Sequence, residues 1–289
     1  MGEIRERAYA KLNLSLDVIS KLPDGYHELC MVMQSVAMHD ELHIRLRDKS
    51  QIRLSVNLPF LPCDNRNIAA KAAKAFFEKT GFKGGCDIDI IKNIPVCAGM
   101  GGGSADGAAV LRGLNKLFGN PLSHKELLEL SFTLGSDLPF CVCGGTALAK
   151  GKGEVLTALA PLPHCFIVIC KPSFSVSTPV LFSKIDSRNI KYRPDTAGIL
   201  NCIDKEDLSG ICRRMYNVFE EVLPETPKDV SLIKRTLLDC GALGAVMTGT
   251  GSAVFGVFDE AEKAEKARLL LLKSYNEVFL TQPQGAISI

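Results

Sequence analysis

The segment PVCAGMGGGSADGAAVL, residues 95–111, constrains the fold more than any other part of the chain. Four of the five residues from Gly99 to Gly103 are glycine, and an alanine-rich helical pattern follows at once. Because glycine loses more conformational freedom on folding than other residues, this cluster indicates that something must approach the backbone closely. Bare N–H groups at the start of a helix attract anions. The segment therefore predicts a phosphate-binding loop, with a flexible loop or tight turn as the alternative.

Neither of the two common phosphate-loop patterns accounts for this segment. The pattern G-x-x-x-x-G-K-[ST] fails because no Lys-Ser or Lys-Thr follows the glycines, and G-x-G-x-x-G fails because Ser104 stands where the third glycine is needed. A second glycine cluster, TGTGSAVFG at 248–256, lies between two apolar segments. Alone it is equally well explained as a hairpin turn. Together the two clusters favour one phosphate chain held from both parts of the molecule.

The composition limits the classes of protein to which the chain can belong. Its 289 residues, 46% hydrophobic and 23% charged, are typical of globular proteins with one large domain or two ordinary ones. The net charge of +2 is too small to indicate nucleic-acid binding, and the sequence contains neither a membrane-spanning run nor a recognisable targeting segment. The eleven cysteines form no C-x-x-C pair and are typical of buried thiols in a reducing compartment. We expect a cytoplasmic protein with no nucleic-acid or membrane partner.

Hydrophobic periodicity predicts a mixture of strands and helices. The segment RAYAKLNLSLDV (7–18) alternates strictly, which is typical of a strand. Further strands are expected at 41–46, 52–56, 86–95, 244–249 and 252–258, and in the apolar stretch that follows Pro161 and Pro163. Helices are expected at 67–79, 104–118, 123–134, 178–186, 196–206, 210–222, 229–239 and 261–273. Without strict βαβ alternation, this order indicates two α+β lobes. The prolines at 161–163 predict a boundary, hence domains 1–160 and 161–289.

Five segments, in order along the chain, resemble the GHMP kinase superfamily. They are AYAKLNLSLDV with DGYHEL, PVCAGMGGGSADGAAVL, LGSDLPFCVCGG, SVSTPVLF and TGTGSAVFG. The resemblance implies an α+β fold of two lobes, with a ribosomal-protein-like amino-terminal lobe, an α/β-sandwich carboxy-terminal lobe and the active site in the cleft between them. DGYH and GSDLPF are its most specific parts. They imply an ATP- and Mg²⁺-dependent kinase that phosphorylates the 2-hydroxyl of a cytidine-diphosphate-linked methylerythritol in non-mevalonate isoprenoid synthesis.

The resemblance also implies roles for individual residues, by position. Asp137 would be the catalytic base, with Lys11 beside it. The residues around ATP would be Pro95, Gly99, Met100, Gly101, Gly102, Gly103, Ser104, Ala105, Asn67, Lys92 and Gly249. The acceptor would be held by Asn13, Tyr26, His27, Asp137 and Phe182, with Phe182 stacked on the pyrimidine. The Mg²⁺ ligands stay open: the phosphates could supply most of them, with Ser104 or Asp106 as candidates to help directly or through water. We expect a monomer or a weak homodimer.

Taken one at a time, several of these residues have ordinary structural explanations. Lys11 could be a solvated lysine on the polar face of its strand, and Asp137 could cap the helix that begins at Leu138-Pro139. Phe182, in the apolar stretch TPVLF, could be a core residue. The chemistry nevertheless agrees with the resemblance, because an Asp that accepts a hydroxyl proton beside a Lys that offsets growing charge suits phosphoryl transfer.

Two other functions remain open at this point. A relative that phosphorylates homoserine or mevalonate is disfavoured by DGYH and Phe182, because a small aliphatic acceptor needs no base clamp. A silent nucleotide-binding protein is disfavoured because Lys11 and Asp137 are both present. The segment HDELH at 39–43 is not a zinc motif, because Asp40 replaces the required Glu and the following LHIRL predicts a strand.

Overall fold

The computed structural model describes residues 2–188, 190–223 and 228–288 of the chain. Two sheets carry the fold, and this α+β architecture confirms the predicted fold class. The strands of the first sheet are β1 (Glu3–Lys21), β2 (His27–Arg47), β3 (Ile52–Val56), β4 (Gly85–Ile91), β5 (Thr146–Gly151), β6 (Val155–Ala158) and β8 (Tyr216–Asn217). Those of the second are β7 (Phe166–Lys171), β9 (Gly244–Met247), β10 (Val254–Phe258) and β11 (Glu277–Thr281).

The order of the strands brings distant parts of the chain together. The first sheet runs β3-β4-β2-β1-β8, with β5 also paired to β2 and β6 to β5, and the second runs β11-β7-β10-β9. β1 and β2 form one long antiparallel hairpin, whereas β8 adds in parallel at Ser15 and Leu16 of β1. A short strand from the second half of the chain therefore completes the first sheet. The predicted domain boundary between residues 160 and 161 remains a prediction.

Nine labelled helices pack around these sheets in the described part of the chain. They are α1 (Ile68–Thr80), α2 (Gly102–Leu117), α3 (His124–Phe132), α4 (Leu138–Cys143), α5 (Thr178–Ser187), α6 (Thr196–Asp204), α7 (Leu208–Arg213), α8 (Asp229–Asp239) and α9 (Ala261–Leu271), with a 3₁₀ helix at Val218–Val222. Local interactions determine where α1 and α3 begin, because the side chains of Asn67 and Ser123 cap these helices. Within the ranges given above, no helix combines the length and apolarity that crossing a membrane requires.

β1 is buried on both of its faces, which its alternating sequence does not reveal. Leu12 and Leu14 lie in the core, as the alternation predicts. On the polar face, however, Lys11 is only 4% exposed, because it lies against Met100 and Gly101 of the first glycine loop. Asn13 is fully buried under the second cluster, where its N–H donates to Thr248 Oγ1 at 3.1 Å. The explanation of Lys11 as a solvated surface lysine is therefore wrong.

The predicted helix at 210–222 is also wrong, and the reason is one amide side chain. Residues 208–222 form α7, β8 and the 3₁₀ helix instead. Asn217 donates from Nδ2 to the carbonyl oxygens of Met247 and Gly249, both at 2.8 Å, and accepts from Phe219 N at 3.0 Å. These bonds require an extended backbone at Asn217, so a contact about 30 residues away in sequence overrides the local helical pattern.

Candidate active site

The first glycine cluster opens onto a cavity of about 540 Å³ at the start of α2. Gly101, with φ +68°, occupies the cap position of this helix, and the next residues expose the N–H groups that no helix can pair internally. The volume lies in the range of small-molecule sites. The predicted ATP residues that line the cavity are Asn67, Lys92, Pro95, Gly99, Met100, Gly101, Gly102, Gly103 and Ser104. The arrangement suits a phosphate chain at the helix start.

The second glycine cluster packs its backbone directly against that of the first. A side chain on Gly249 would lie 2.6 Å from the carbonyl oxygen of Gly99, and Ala253 N donates to Ala98 O at 3.2 Å. Glycine is therefore required at residue 249 for backbone-to-backbone packing. Neither Gly249 nor Ala105 belongs to the described lining of the cavity, so their contact with ATP remains a prediction.

Lys11 and Asp137 meet beside this loop. The ammonium of Lys11 lies 3.4 Å from Asp137 Oδ2 and donates to Asn13 Oδ1 at 2.8 Å. Its backbone N–H donates to Met100 O at 3.0 Å, which fixes the strand against the glycine loop. Asp137 stands at the cap position of α4, but its side chain bonds none of the described N–H groups of that helix. Because its side chain is 33% exposed, the carboxylate can reach a ligand, which a capping role would not explain.

A buried charge cluster lies beneath the start of α2. The ammonium of Lys92 bridges Asp40 and Asp106, and the three side chains are at most 5% exposed. Asp40 also accepts from the backbone N–H groups of Asn93 and Ile94, at 2.6 and 2.8 Å. Burial raises the pKa of Asp106, and the Asp40 carboxylate adds to the rise, while Lys92 opposes it. Within the described residues Asp106 Oδ1 has no hydrogen-bond partner, which leaves a carboxylate oxygen available at the cavity.

Asn67 combines a place in the cavity with a structural task. Its Oδ1 accepts from Ala69 N at 2.9 Å, and its Nδ2 donates to Pro62 O at 3.0 Å. Both ends of the amide are therefore engaged in capping α1 and in holding the preceding loop. A contact with ATP would require one of these bonds to be shared.

Replacement of Asn67 by alanine is expected to lower the free energy of unfolding by about 1 kcal/mol, because α1 loses its cap. Asn67→Asp, which keeps the cap acceptor, should lose less. Chemical denaturation of both variants measures the difference. Equal losses would show that the bond from Nδ2 to Pro62, and not the cap, is the important one.

The residues predicted to hold the acceptor lie at the tip of the β1–β2 hairpin and on α5. Tyr26 is 61% exposed, with the Lys152 ammonium 4.5 Å from its ring centre. His27 stacks on Phe182 with 4.5 Å between ring centres, and Phe182 meets Phe219 edge-on at 5.0 Å. Phe182 is only partly buried, so it is not simply a core residue. The structure thus gathers His27, Phe182 and Phe219 into one aromatic group, and Tyr26 lies next to His27 in the chain with its ring against Lys152.

Asn13 lies elsewhere, beneath the site. It is fully buried, and its Oδ1 accepts from Lys11 Nζ and from Gly249 N, the latter at 3.1 Å. These contacts join β1 to the second glycine loop. Its predicted contact with the acceptor remains a prediction.

Sequence reasoning missed two carboxylates that organise the site. The sequence indicates Asp40 only as a mismatch to a zinc motif. None of the sequence motifs contains Asp186, which bonds His27 Nε2 at 2.7 Å. Asp186 follows Phe182 by four residues, a spacing that places both on one face of α5. That spacing is a signal that could have identified it.

Two family profiles match the chain. The profile described as GHMP kinases N terminal domain matches residues 67–145, and that described as GHMP kinases C terminal matches residues 199–276. Among solved structures, a 4-(cytidine 5'-diphospho)-2C-methyl-D-erythritol kinase superposes with a TM-score of 0.82 at 29% identity, covering 98% of this chain and 100% of the other. A homoserine kinase from Cytophaga hutchinsonii, 22% identical with a TM-score of 0.77 over 100% of this chain and 98% of its own, shares the fold.

Curated relatives match over nearly the whole length. The 4-diphosphocytidyl-2-C-methyl-D-erythritol kinase of Clostridium tetani is 43% identical over 96% of this chain and 98% of its own. That of Alkaliphilus oremlandii is 43% identical over 98% of this chain and 97% of its own. With this identity over the full length and with both GHMP profiles matched, the chain belongs to the 4-diphosphocytidyl-2-C-methyl-D-erythritol kinase family of the GHMP kinases.

Proposed function

We infer that the chain transfers the γ-phosphoryl group of ATP to the 2-hydroxyl of 4-diphosphocytidyl-2-C-methyl-D-erythritol, a step of non-mevalonate isoprenoid synthesis. The observation that carries this inference is the Lys11–Asp137 pair, 3.4 Å apart, beside the glycine loop that lines the cavity. A base that is both exposed and adjacent to a phosphate loop is what transfer to a hydroxyl requires.

The residues around the cavity divide the chemical work. The N–H groups of the first glycine loop and the positive end of α2 would hold the phosphates. Asp137 would accept the proton of the acceptor hydroxyl as its oxygen attacks phosphorus. Lys11, held by Asn13 and by its backbone bond to the loop, would stabilise the negative charge that grows on the transferred group. Such transfers depend mostly on positioning and electrostatics.

Mg²⁺ fits the residues present at the cavity. Magnesium in phosphoryl-transfer sites is held by one or two protein oxygens together with phosphate oxygens. Asp106 offers such an oxygen, because Oδ1 is free of described partners while Oδ2 accepts from Lys92 at 2.7 Å. The hydroxyl of Ser104 lines the same cavity. Bound there, the ion would neutralise charge on the phosphates, and Asp106 and Ser104 would be its protein ligands.

Asp106→Asn is expected to raise the Mg²⁺ concentration for half-maximal activity by at least about tenfold, because a neutral amide replaces the anionic oxygen. The fold should not suffer, since the variant also removes repulsion between two buried carboxylates that share one ammonium. Activity titrated with Mg²⁺ and thermal unfolding without it measure the two effects. An unchanged Mg²⁺ requirement would exclude Asp106 as a ligand.

The other predicted properties agree with this function. The acceptor is a small molecule with a cytidine diphosphate group, and Tyr26, His27 and Phe182 are proposed to hold its base, since stacking of a base on an aromatic ring contributes about 1–3 kcal/mol. Two lobes divided near residue 160, a cytoplasmic location and a monomeric or weakly dimeric state are proposed with it.

The test is release of ADP from Mg-ATP with a panel of acceptors. The panel contains 4-diphosphocytidyl-2-C-methyl-D-erythritol, methylerythritol phosphate without the cytidyl group, homoserine and mevalonate. Turnover of the cytidyl compound alone is expected. Turnover of homoserine or mevalonate would retain a kinase but overturn the base-binding roles of the aromatic residues. Silence on all four with ATP bound would favour a regulatory nucleotide-binding protein.

A further inference from the structure

We propose that Asp186 is a positioning residue that holds His27 with its proton on Nε2, and that it thereby selects an acceptor whose base presents an N–H donor. This inference deepens the proposed function and rests on it. The acceptor class it specifies is an aminopyrimidine nucleotide, as opposed to a pyrimidine with a carbonyl at the same position.

Asp186 lies at the turn end of the β1–β2 hairpin. Lys21 and His27 are the last pair in register across the two strands, and both bond the same carboxylate. Lys21 Nζ donates to Asp186 Oδ2 at 2.7 Å, and His27 Nε2 lies 2.7 Å from Asp186 Oδ1. The hairpin tip that carries Tyr26 is therefore attached to α5, the helix that carries Phe182.

The bond to Asp186 fixes which ring nitrogen of His27 carries a proton. A carboxylate that accepts from Lys21 and from His27 can only accept, so Nε2 must be the donor. The bonds from Lys21 and His27 lower the pKa of Asp186, which keeps it ionised and accepting. In the neutral ring Nδ1 then carries a lone pair.

Nδ1 of His27 has no hydrogen-bond partner among the residues that the structure describes. Within residues 2–188, 190–223 and 228–288 the hydrogen bond of the ring is the one to Asp186. The side-chain atoms that are both buried and unpartnered there are Ser15 Oγ and Asp106 Oδ1, so Nδ1 reaches solvent although the side chain is only 8% exposed. A ligand that enters beside the ring can therefore bond this nitrogen.

Two contacts, the stacking on Phe182 and the bond to Asp186, fix the orientation of the His27 ring. One face of His27 lies on Phe182, at 25° between planes, and Phe182 is in turn held by Phe219. Phe182 and Asp186 are one helical turn apart on α5, so the stacking contact and the hydrogen bond act from the same surface. A half-turn of the ring would keep the stacking contact but break the hydrogen bond to Asp186, so that bond decides which edge the ring presents.

The consequence is selection between donor and acceptor groups on the base. The amino group of cytosine donates to a lone pair, whereas uracil has a carbonyl oxygen at the same position, which a lone pair repels. Sites that leave a polar group unpaired discriminate strongly against the wrong partner. Asp186 would exert this selection without touching the acceptor.

Asp186→Asn should reverse the tautomer. Lys21 is a donor that needs an oxygen, and asparagine has one, so its NH₂ group is left facing His27 Nε2. Nε2 would then accept and the proton would move to Nδ1. We expect the ratio of kcat/KM for the cytidyl acceptor to kcat/KM for its uridyl analogue to fall by about tenfold, a change of about 1.4 kcal/mol.

Two further variants separate this role from simple support of the hairpin. Lys21→Met removes the other partner of Asp186 but keeps the bond to His27, so it should affect both acceptors equally and leave the ratio unchanged. Asp186→Ala removes the carboxylate without supplying a donor to Nε2, so it should lower activity on both acceptors and reduce the ratio less than Asp186→Asn does. If Asp186→Asn lowers kcat/KM equally for the two acceptors, Asp186 is only structural and the proposal is overturned.

A spectroscopic measurement tests the tautomer independently of activity. Nitrogen-15 NMR of the imidazoles, with His27 assigned by comparison with His27→Gln, should show the proton on Nε2 in the wild type and on Nδ1 in Asp186→Asn. A wild-type proton on Nδ1 would overturn the proposal. If the wild type fails to phosphorylate the cytidyl acceptor while the tautomer is as expected, the proposed function fails and the role of Asp186 toward His27 stands.

Discussion

Asp137→Asn is expected to lower kcat by about 10²–10⁴-fold, the contribution usual for a general base. Asparagine has nearly the same shape but cannot take the proton of the acceptor hydroxyl. Its position also makes the variant informative, because the side chain is 33% exposed and bonds none of the described N–H groups of α4. The fold should therefore tolerate the change. ADP release under saturating Mg-ATP and acceptor measures kcat.

The matched control is Asp239→Asn, which removes an exposed carboxylate from the surface of α8. It should leave kcat unchanged. The same experiment decides between the two explanations of Asp137, because asparagine caps helices about as well as aspartate. If the variant retained wild-type kcat, Asp137 would not be the catalytic base, and the base would have to be sought elsewhere.

Local signals predicted the parts of the fold that depend on local interactions. The helix at 229–239 and the strand at 52–56 agree with α8 and β3 residue for residue. The predicted helix at 123–134 corresponds to α3, which Ser123 and Glu126 start through a reciprocal pair of bonds. In each case neighbouring residues supply the periodicity or the cap, so the sequence carries the information.

Long-range contacts decided what the sequence did not reveal. Strand β2 covers 21 residues, although only 41–46 was predicted, because its first half is held by β1 and β5 on either side. The short strands β5, β6 and β11 are not predicted by the sequence. Asn217 turned a predicted helix into a strand through bonds to residues 247 and 249. Pairing of this kind is fixed by the partner, which periodicity does not identify.

The site shows the same division between local and long-range information. The glycine loop predicted an anion site at a helix start, and the cavity there is lined by most of the residues expected around ATP. The alternation of β1, however, places Lys11 only on the face opposite the apolar core. It does not predict whether that face is buried or what Lys11 contacts. Its burial follows from long-range contacts: Met100 and Gly101 of the first glycine loop lie against Lys11 itself, and the second glycine loop covers the neighbouring Asn13.

Lys11→Met is expected to lower kcat by about 10²–10³-fold, the loss usual when one preorganised group that stabilises growing charge is removed. Methionine keeps an unbranched side chain of similar length, which matters because Gly101 leaves little space beside the Lys11 methylenes. The substitution leaves no buried polar group without a partner. Asn13 Oδ1 still accepts from Gly249 N, and the Asp137 carboxylate is in contact with solvent. The fold and the affinity for ATP should therefore be nearly unchanged.

Thermal unfolding and nucleotide titration of Lys11→Met check those two conditions, and Lys11→Arg is the charge-retaining control. The decisive measurement is the double variant with Asp137→Asn. Lys11 and Asp137 would act on the same proton transfer and the same developing charge, so their combined loss in kcat should be much smaller than the product of the single losses. Multiplicative losses would mean that the 3.4 Å contact between the two side chains has no part in the reaction and that each acts separately.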